Sequence, residues 1–162
     1  MVFLVLAPVL ACGPDKDYSG KKLVEHTVTK EGVTYTVMIP DGLPKNKREE
    51  GDWFDARVEY DHVPQVFTGP YPVRKMPATG EEANKEIPLS PEKATIVRTQ
   101  QRPDGWSVTL THAKDRIEAS SYTQIGDKIV KCTAIQVGDG DIDNFDKTKA
   151  MLESVCDSIK AK

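Results

Sequence analysis

What the sequence lacks narrows its function first. Its 162 residues hold 22 Lys and Arg against 25 Asp and Glu, a formal net charge of −3. No basic excess exists to neutralise a phosphate backbone, so nucleic acid is not an expected partner. The three histidines (His26, His62, His112) and three cysteines show no ligand spacing, so no metal site is expected. There is no Gly-x-Ser-x-Gly elbow and no glycine-rich phosphate loop. Asp139-Gly140-Asp141-Ile142-Asp143-Asn144 begins like a calcium loop, but the places that need Gly and Glu hold Asn144 and Ala150. We therefore expect no enzyme and no cofactor. The enzymatic alternative left open is a hydrolase using two carboxylates in a cleft, a pairing that sequence does not reveal. Nor is any apolar run long enough to cross a bilayer: residues 2–11 are uncharged, whereas a spanning helix needs about 20 residues. With 38% hydrophobic and 29% charged residues, the chain has the composition of one folded domain with a core of its own.

The short apolar run ends in a small residue and gives way to the polar Gly13-Pro14-Asp15-Lys16-Asp17, as the hydrophobic region of a secretory signal does. Val9-Leu10-Ala11-Cys12 resembles the lipobox of bacterial lipoproteins. That resemblance implies a signal peptide over residues 1–11, cleavage before Cys12, and diacylglycerol on the Cys12 sulfur. A tether over 12–22 and one domain over 23–162 would follow. Each buried acyl methylene contributes about 0.8 kcal/mol, so two or more chains anchor stably. The expected partner is then the membrane through its anchor, and the expected place the cell envelope. In a diderm cell the periplasmic face of the outer membrane is favoured, since Gly13 offers no retention signal. With Cys12 acylated, Cys132 and Cys156 are an even remainder in an oxidising compartment, which points to a disulfide.

Along the body, residues 23–29 and 33–39 alternate about Lys30-Glu31-Gly32 and read as a hairpin. Residues 45–51 read as a mixed-charge loop, and 53–60 as a strand with Phe54, Ala56, Val58 and Tyr60 on one face. Residues 61–93 hold six of the 11 prolines and are expected to be irregular, with one short helix near 80–87. Strands over 94–101, 106–112, 116–124 and 128–137, separated by Pro103-Asp104-Gly105, Ala113-Lys114-Asp115 and Gly126-Asp127, form a meander. Phe145, Leu152, Val155, Cys156 and Ile159 make the stripe of a last helix, capped by Asp141 or Asp143 and ending among Lys160 and Lys162. Cys132 shares a strand face with Val130 and Ala134, so that helix laid on this face brings Cys132 and Cys156 together. The expected class is α+β: a single twisted antiparallel sheet of about seven strands with a C-terminal helix packed across it.

This order, with Tyr35-Thr36-Val37-Met38-Ile39-Pro40 near the front and residues 145–159 at the back, resembles small bacterial envelope lipoproteins of the PsbP/Mog1-like kind. The resemblance implies a binding or accessory module with no shared catalytic apparatus. Its expected partner is another envelope protein or a small ligand, and its candidate contact loop holds Phe67, Tyr71, Arg74 and Met76. Aromatics beside an arginine are what binding hot spots use. The competing readings are that Phe67 and Tyr71 fold back over a sheet face, or that the protein has a purely structural role in assembling the envelope.

Overall fold

A computed structural model of the chain describes residues 17–48, 51–55, 63–72, 75–86 and 94–162. Cys12, the signal-like segment, residues 56–60 of the expected strand, His62 and Arg74 lie outside the described residues.

Two sheets form, where one was expected. The hairpin β1 (Leu23–Lys30) and β2 (Val33–Pro40) is joined on its other side by the two-residue β10 (Lys160–Ala161). The second sheet has seven antiparallel strands. In spatial order these are β3 (Lys45–Arg48), β4 (Gly51–Asp55), β5 (Gln65–Tyr71), β9 (Lys128–Val137), β8 (Arg116–Ile125), β7 (Gly105–His112) and β6 (Ala94–Arg102). The reason for the split lies in β2. Both its edges are taken, by β1 and β10, while Tyr35, Val37 and Ile39 are fully buried. That face needs a layer to pack on, and the C-terminal helix α2 (Phe145–Asp157) supplies it. Helix α2 touches β2 on one side and β7, β8 and β9 on the other. Its Met151, Leu152, Val155 and Cys156 share one core with Val66, Ile117, Ala119, Val130, Cys132 and Ala134 of the large sheet. The Tyr35 hydroxyl donates to Thr68 Oγ1 at 3.0 Å and ties the two sheets directly.

Four further expectations need correction. Residues 45–48 are a strand, not a loop; a short, charged strand suits a sheet edge because it discourages pairing with another chain. Residues 65–71 are β5, deep in the large sheet, despite Pro70. Strand β4 pairs with β5 only as far as Thr68, whereas β9 runs on to Tyr71. Among the described residues Pro70 thus pairs on the β9 side alone, and a strand paired on one side tolerates proline. The helix cap is Asn144, in the left-handed conformation (φ 53°, ψ 38°), not Asp141 or Asp143. Its side-chain amide donates to Asp17 Oδ2 at 3.1 Å instead of capping the helix. Finally, Lys160 and Lys162 do not finish the helix, which stops at Asp157. The cations at its C-terminal end come from β6. Arg102 Nη1 donates to the Asp157 carbonyl at 2.9 Å, and Arg98 Nη2 to its carboxylate at 2.6 Å. Ser121 Oγ donates to the Cys156 carbonyl at 2.7 Å. Side chains of the sheet thus take up carbonyls that a helix end leaves unpaired, and place positive charge at the negative pole of its dipole.

The described part of the expected tether packs on the body. Tyr18 is 3% exposed and belongs to the main core, and its hydroxyl donates to the Gly42 carbonyl at 3.4 Å. Asp17 accepts from the Ser19 backbone N–H at 2.7 Å, and that hydroxyl-bearing residue above all holds its carboxyl below the usual range.

Candidate partner-binding face

The large sheet has two faces. One carries α2. On the other, the alternation of strand side chains aligns Phe67 and Tyr71 of β5 with Lys131 and Thr133 of β9, Glu118, Ser120 and Tyr122 of β8, and Trp106, Val108 and Leu110 of β7. A second apolar cluster forms here from Trp106, Val108, Leu110, Tyr122 and Ile129, with Tyr71 and Met76 packed against it. Helix α1 (Gly80–Lys85) seats its buried Ala83 on this cluster. Thr79 caps α1 by accepting from the Glu82 N–H at 3.2 Å, while Glu82 reaches back to the Ala78 N–H at 2.8 Å. The two bonds fasten the start of this short helix.

Polar tips of the aromatics fasten the segment down. Trp106 Nε1 donates to the Pro77 carbonyl at 2.8 Å. The Tyr71 hydroxyl donates to Glu86 Oε2 at 3.2 Å and the Tyr122 hydroxyl to the Glu86 carbonyl at 3.0 Å. The two rings lie 5.6 Å apart, and the Lys131 ammonium sits 4.9 Å from one and 5.4 Å from the other. Across the ladder Lys131 faces Gly69. A cation between two aromatic faces is attracted by both quadrupoles.

The electrostatics follow from this burial. Burial holds the Lys131 amine below its ordinary pKa, against the opposing pull of Glu118 and Glu86. Burial also raises Tyr122 strongly and Tyr71 to a lesser degree, with Glu86 adding to both. The lysine supports a signed prediction. Its folded-state pKa lies below its unfolded value of 10.5, so between the two values the unfolded chain binds more protons. Stability then rises with pH in that window. Compared with Lys131→Met, the wild type should gain urea midpoint as the pH rises toward 10.5. Equal slopes for the two proteins would show that Lys131 is not desolvated. Above pH 10 the raised tyrosines reverse the sign, because the folded state then keeps protons that the unfolded state loses.

Of the four contact residues expected from sequence, the structure brings Tyr71 and Met76 together on this cluster. Phe67 is half-buried in mid-strand, opposite Thr133, so it belongs to a sheet face and not to an exposed loop. Tyr122, Lys131, Glu86 and Glu118 were missed. The available signal was Lys131 itself: a charge between Val130 and Cys132 marks a strand whose second face is not plain core. His26 stacks edge-on against Phe54 at 5.0 Å, and His112 stands at the far end of β7. Among the described residues no His, Cys, Asp or Glu cluster could hold a metal. The structure joins Cys132 and Cys156, Cα atoms 5.3 Å apart, across the packing of α2 on β9.

An α2 helix held between a three-stranded and a seven-stranded antiparallel sheet, with a strapped second face, defines an α+β fold of the PsbP/Mog1-like kind. No family model and no curated protein matches the chain. Among solved structures, it is similar to cyanobacterial PsbP (CyanoP) from Synechocystis sp. PCC 6803, with a TM-score of 0.56 and 17% identity over 96% of this chain and 100% of that one. It is also similar to the Ran-binding protein Mog1p of Saccharomyces cerevisiae, with a TM-score of 0.59 and 9% identity over 86% of this chain and 96% of that one. Likeness at these identities is one of fold.

Proposed function

We propose that this protein is a lipid-anchored, non-catalytic binding or accessory protein of the cell envelope, acylated on Cys12. It would meet a protein partner through the sheet face that carries Tyr71 and Met76, to which Arg74 is near in sequence. The observation that carries the binding reading is the use made of the reactive side chains on that face. Lys131 is clasped by two rings, both tyrosine hydroxyls are spent on Glu86, and Glu118 is paired with Arg116 at 3.2 Å. Groups so engaged hold a surface in shape. The carboxylate-hydrolase alternative needs a different environment, an acid and a base with separated pKa values around an open cleft. One solved protein with this fold is described as Ran-binding, which supports a protein partner here without naming it. The Cys132–Cys156 bond supports an oxidising compartment.

Two measurements test the reading. Metabolic labelling with a fatty-acid analogue should mark the wild type and not Cys12→Ala; equal labelling of both removes the anchor. Crosslinking in cells should capture a partner whose recovery falls at least several-fold in Arg74→Glu and in Met76→Ala. Deleting the segment is the wrong test, since β5 is internal to the sheet and its loss would unfold the domain. Undiminished capture by both point variants would move the contact surface elsewhere.

A further inference from the structure

The same sheet face ends, at the opposite end from the tyrosines, in a cleft of about 220 Å³ that nothing in the proposed function uses. It is lined by His112 at the end of β7, Arg116 at the start of β8, Val137 at the end of β9, and the turn residues Ala113, Asp115 and Gly138. Register places His112 opposite Arg116, and Arg116 opposite Val137. The three side chains therefore stand in one row on one face. Backbone bonds fix the frame: Asp115 N–H to the His112 carbonyl at 3.1 Å, Gly138 N–H to the Asp115 carbonyl at 2.7 Å, and Ile142 N–H to the Lys114 carbonyl at 2.8 Å. The cleft is thus held by rigid strand ends.

The chemistry of the row is uneven. Arg116 gives Nη2 to Glu118, but its Nε is shielded from water and makes no hydrogen bond among the described residues. That nitrogen is closed to solvent, so an occupant of the cleft meets the rest of the Arg116 side chain, which is 30% exposed. A guanidinium presents donors in a fork that matches a carboxylate, and one carboxylate already on it leaves further donors to use. Val137 is exposed and gives the row an apolar end. Asp115 stands solvated on the rim and sets an upper limit on how much negative charge the cleft accepts. The volume lies below the range of drug-sized sites, so the occupant is small.

We propose that this cleft binds a small carboxylate, with the anionic group on Arg116 beside His112 and a short apolar portion against Val137. This inference is independent of the lipid anchor and of the partner face.

Sodium butyrate titrated into the purified full chain, followed by the Arg116 Nε–H and Val137 methyl NMR signals, tests it. Saturable shifts should appear with a dissociation constant of about 1–10 mM, the scale open to so small a ligand. The isosteric neutral butyramide should bind at least tenfold more weakly. Val137→Glu places a carboxylate of the protein's own in the cleft at an exposed position, so the variant folds, and butyrate should no longer shift the Arg116 signal. Arg116→Gln should abolish binding as well. Should Arg116→Gln fail to fold, Val137→Glu decides alone. Unsaturated shifts, equal binding of butyramide, or an unchanged response in Val137→Glu would each overturn the proposal.

Discussion

Replacing Cys132 and Cys156 together by alanine should lower the free energy of unfolding by about 3 kcal/mol and the melting temperature by about 6–12 °C. The two residues are 24 apart in sequence, and the bond between them closes a loop that runs from mid-β9 through the 138–144 turn into the last turn of α2. Cross-linking a loop of that length removes conformations mainly from the unfolded chain, so the loss should show as a lower denaturant midpoint and not as altered native structure. Both side chains are almost wholly buried, at 0% and 1% exposure, and the substitution adds a small cavity cost in the same direction. The check is urea unfolding of wild type with and without reductant, beside the double variant. Reductant should bring the wild type most of the way down to the variant, the remaining gap being the cavity cost. A wild type that ignores reductant and shows both thiols free after denaturation would mean that the bond does not form.

That the structure sets Cys132 beside Cys156 follows from two periodicities that intersect. Cys156 follows the helical stripe of Leu152 and Val155, and Cys132 follows the two-residue alternation of Val130 and Ala134. Each pattern gives a face, and a helix must lay its face on something. The meander from β6 to β9 was legible for the same reason, since Trp106, Val108 and Leu110 alternate with Ser107, Thr109 and Thr111, and turn residues mark each reversal. What could not be read was which strands share a sheet. Alternation in β2 says that Tyr35, Val37 and Ile39 are buried; it does not say whether the layer above them is a sheet or a helix. The answer depends on β10, whose two residues bear no pattern at all.

The second face was obscured by proline. Six prolines between 61 and 93 argue against a ladder on local grounds, and the argument holds for a strand with neighbours on both sides. It fails for β5 because β4 is shorter than β9, a property of pairing and not of any residue. With β5 unseen, Phe67 and Tyr71 read as loop aromatics, and the clasp around Lys131 had no visible partner. The end of α2 was misread in the same way. Lysines close in sequence seemed to finish the helix, whereas Arg98 and Arg102, distant in sequence, do so in space.

Gly105→Ala should be among the most disruptive small substitutions in the chain. Pro103-Asp104-Gly105 reads as a turn. The structure gives its glycine a packing task. Strands β6 and β7 pair from Arg102 opposite Gly105, so the turn is Pro103-Asp104 and the glycine is the first residue of the strand. There it lies against β8, where a Cβ would stand 1.8 Å from the Tyr122 carbonyl oxygen and 3.2 Å from the Thr123 Cα. These are backbone atoms and cannot rotate aside, so the β7–β8 ladder must part at this point. Overpacking of this kind costs about 1–3 kcal/mol and occasionally more, and a clash with backbone belongs at the upper end. The damage should spread by a defined route. Gln124 N–H donates to the Asp104 carbonyl at 2.7 Å, and Arg102 of the same hairpin holds the last carbonyl of α2. Amide exchange should therefore accelerate in β6, at the start of β7 and at the end of α2, and less in the β1–β2 hairpin. Gly126→Ala serves as the comparison, since a Cβ there meets nothing within 4 Å and only its left-handed backbone (φ 61°) resists the change. Its cost should stay near 1 kcal/mol. If the two alanine variants unfold at the same urea concentration, the close approach of β8 to Gly105 is not what that glycine serves.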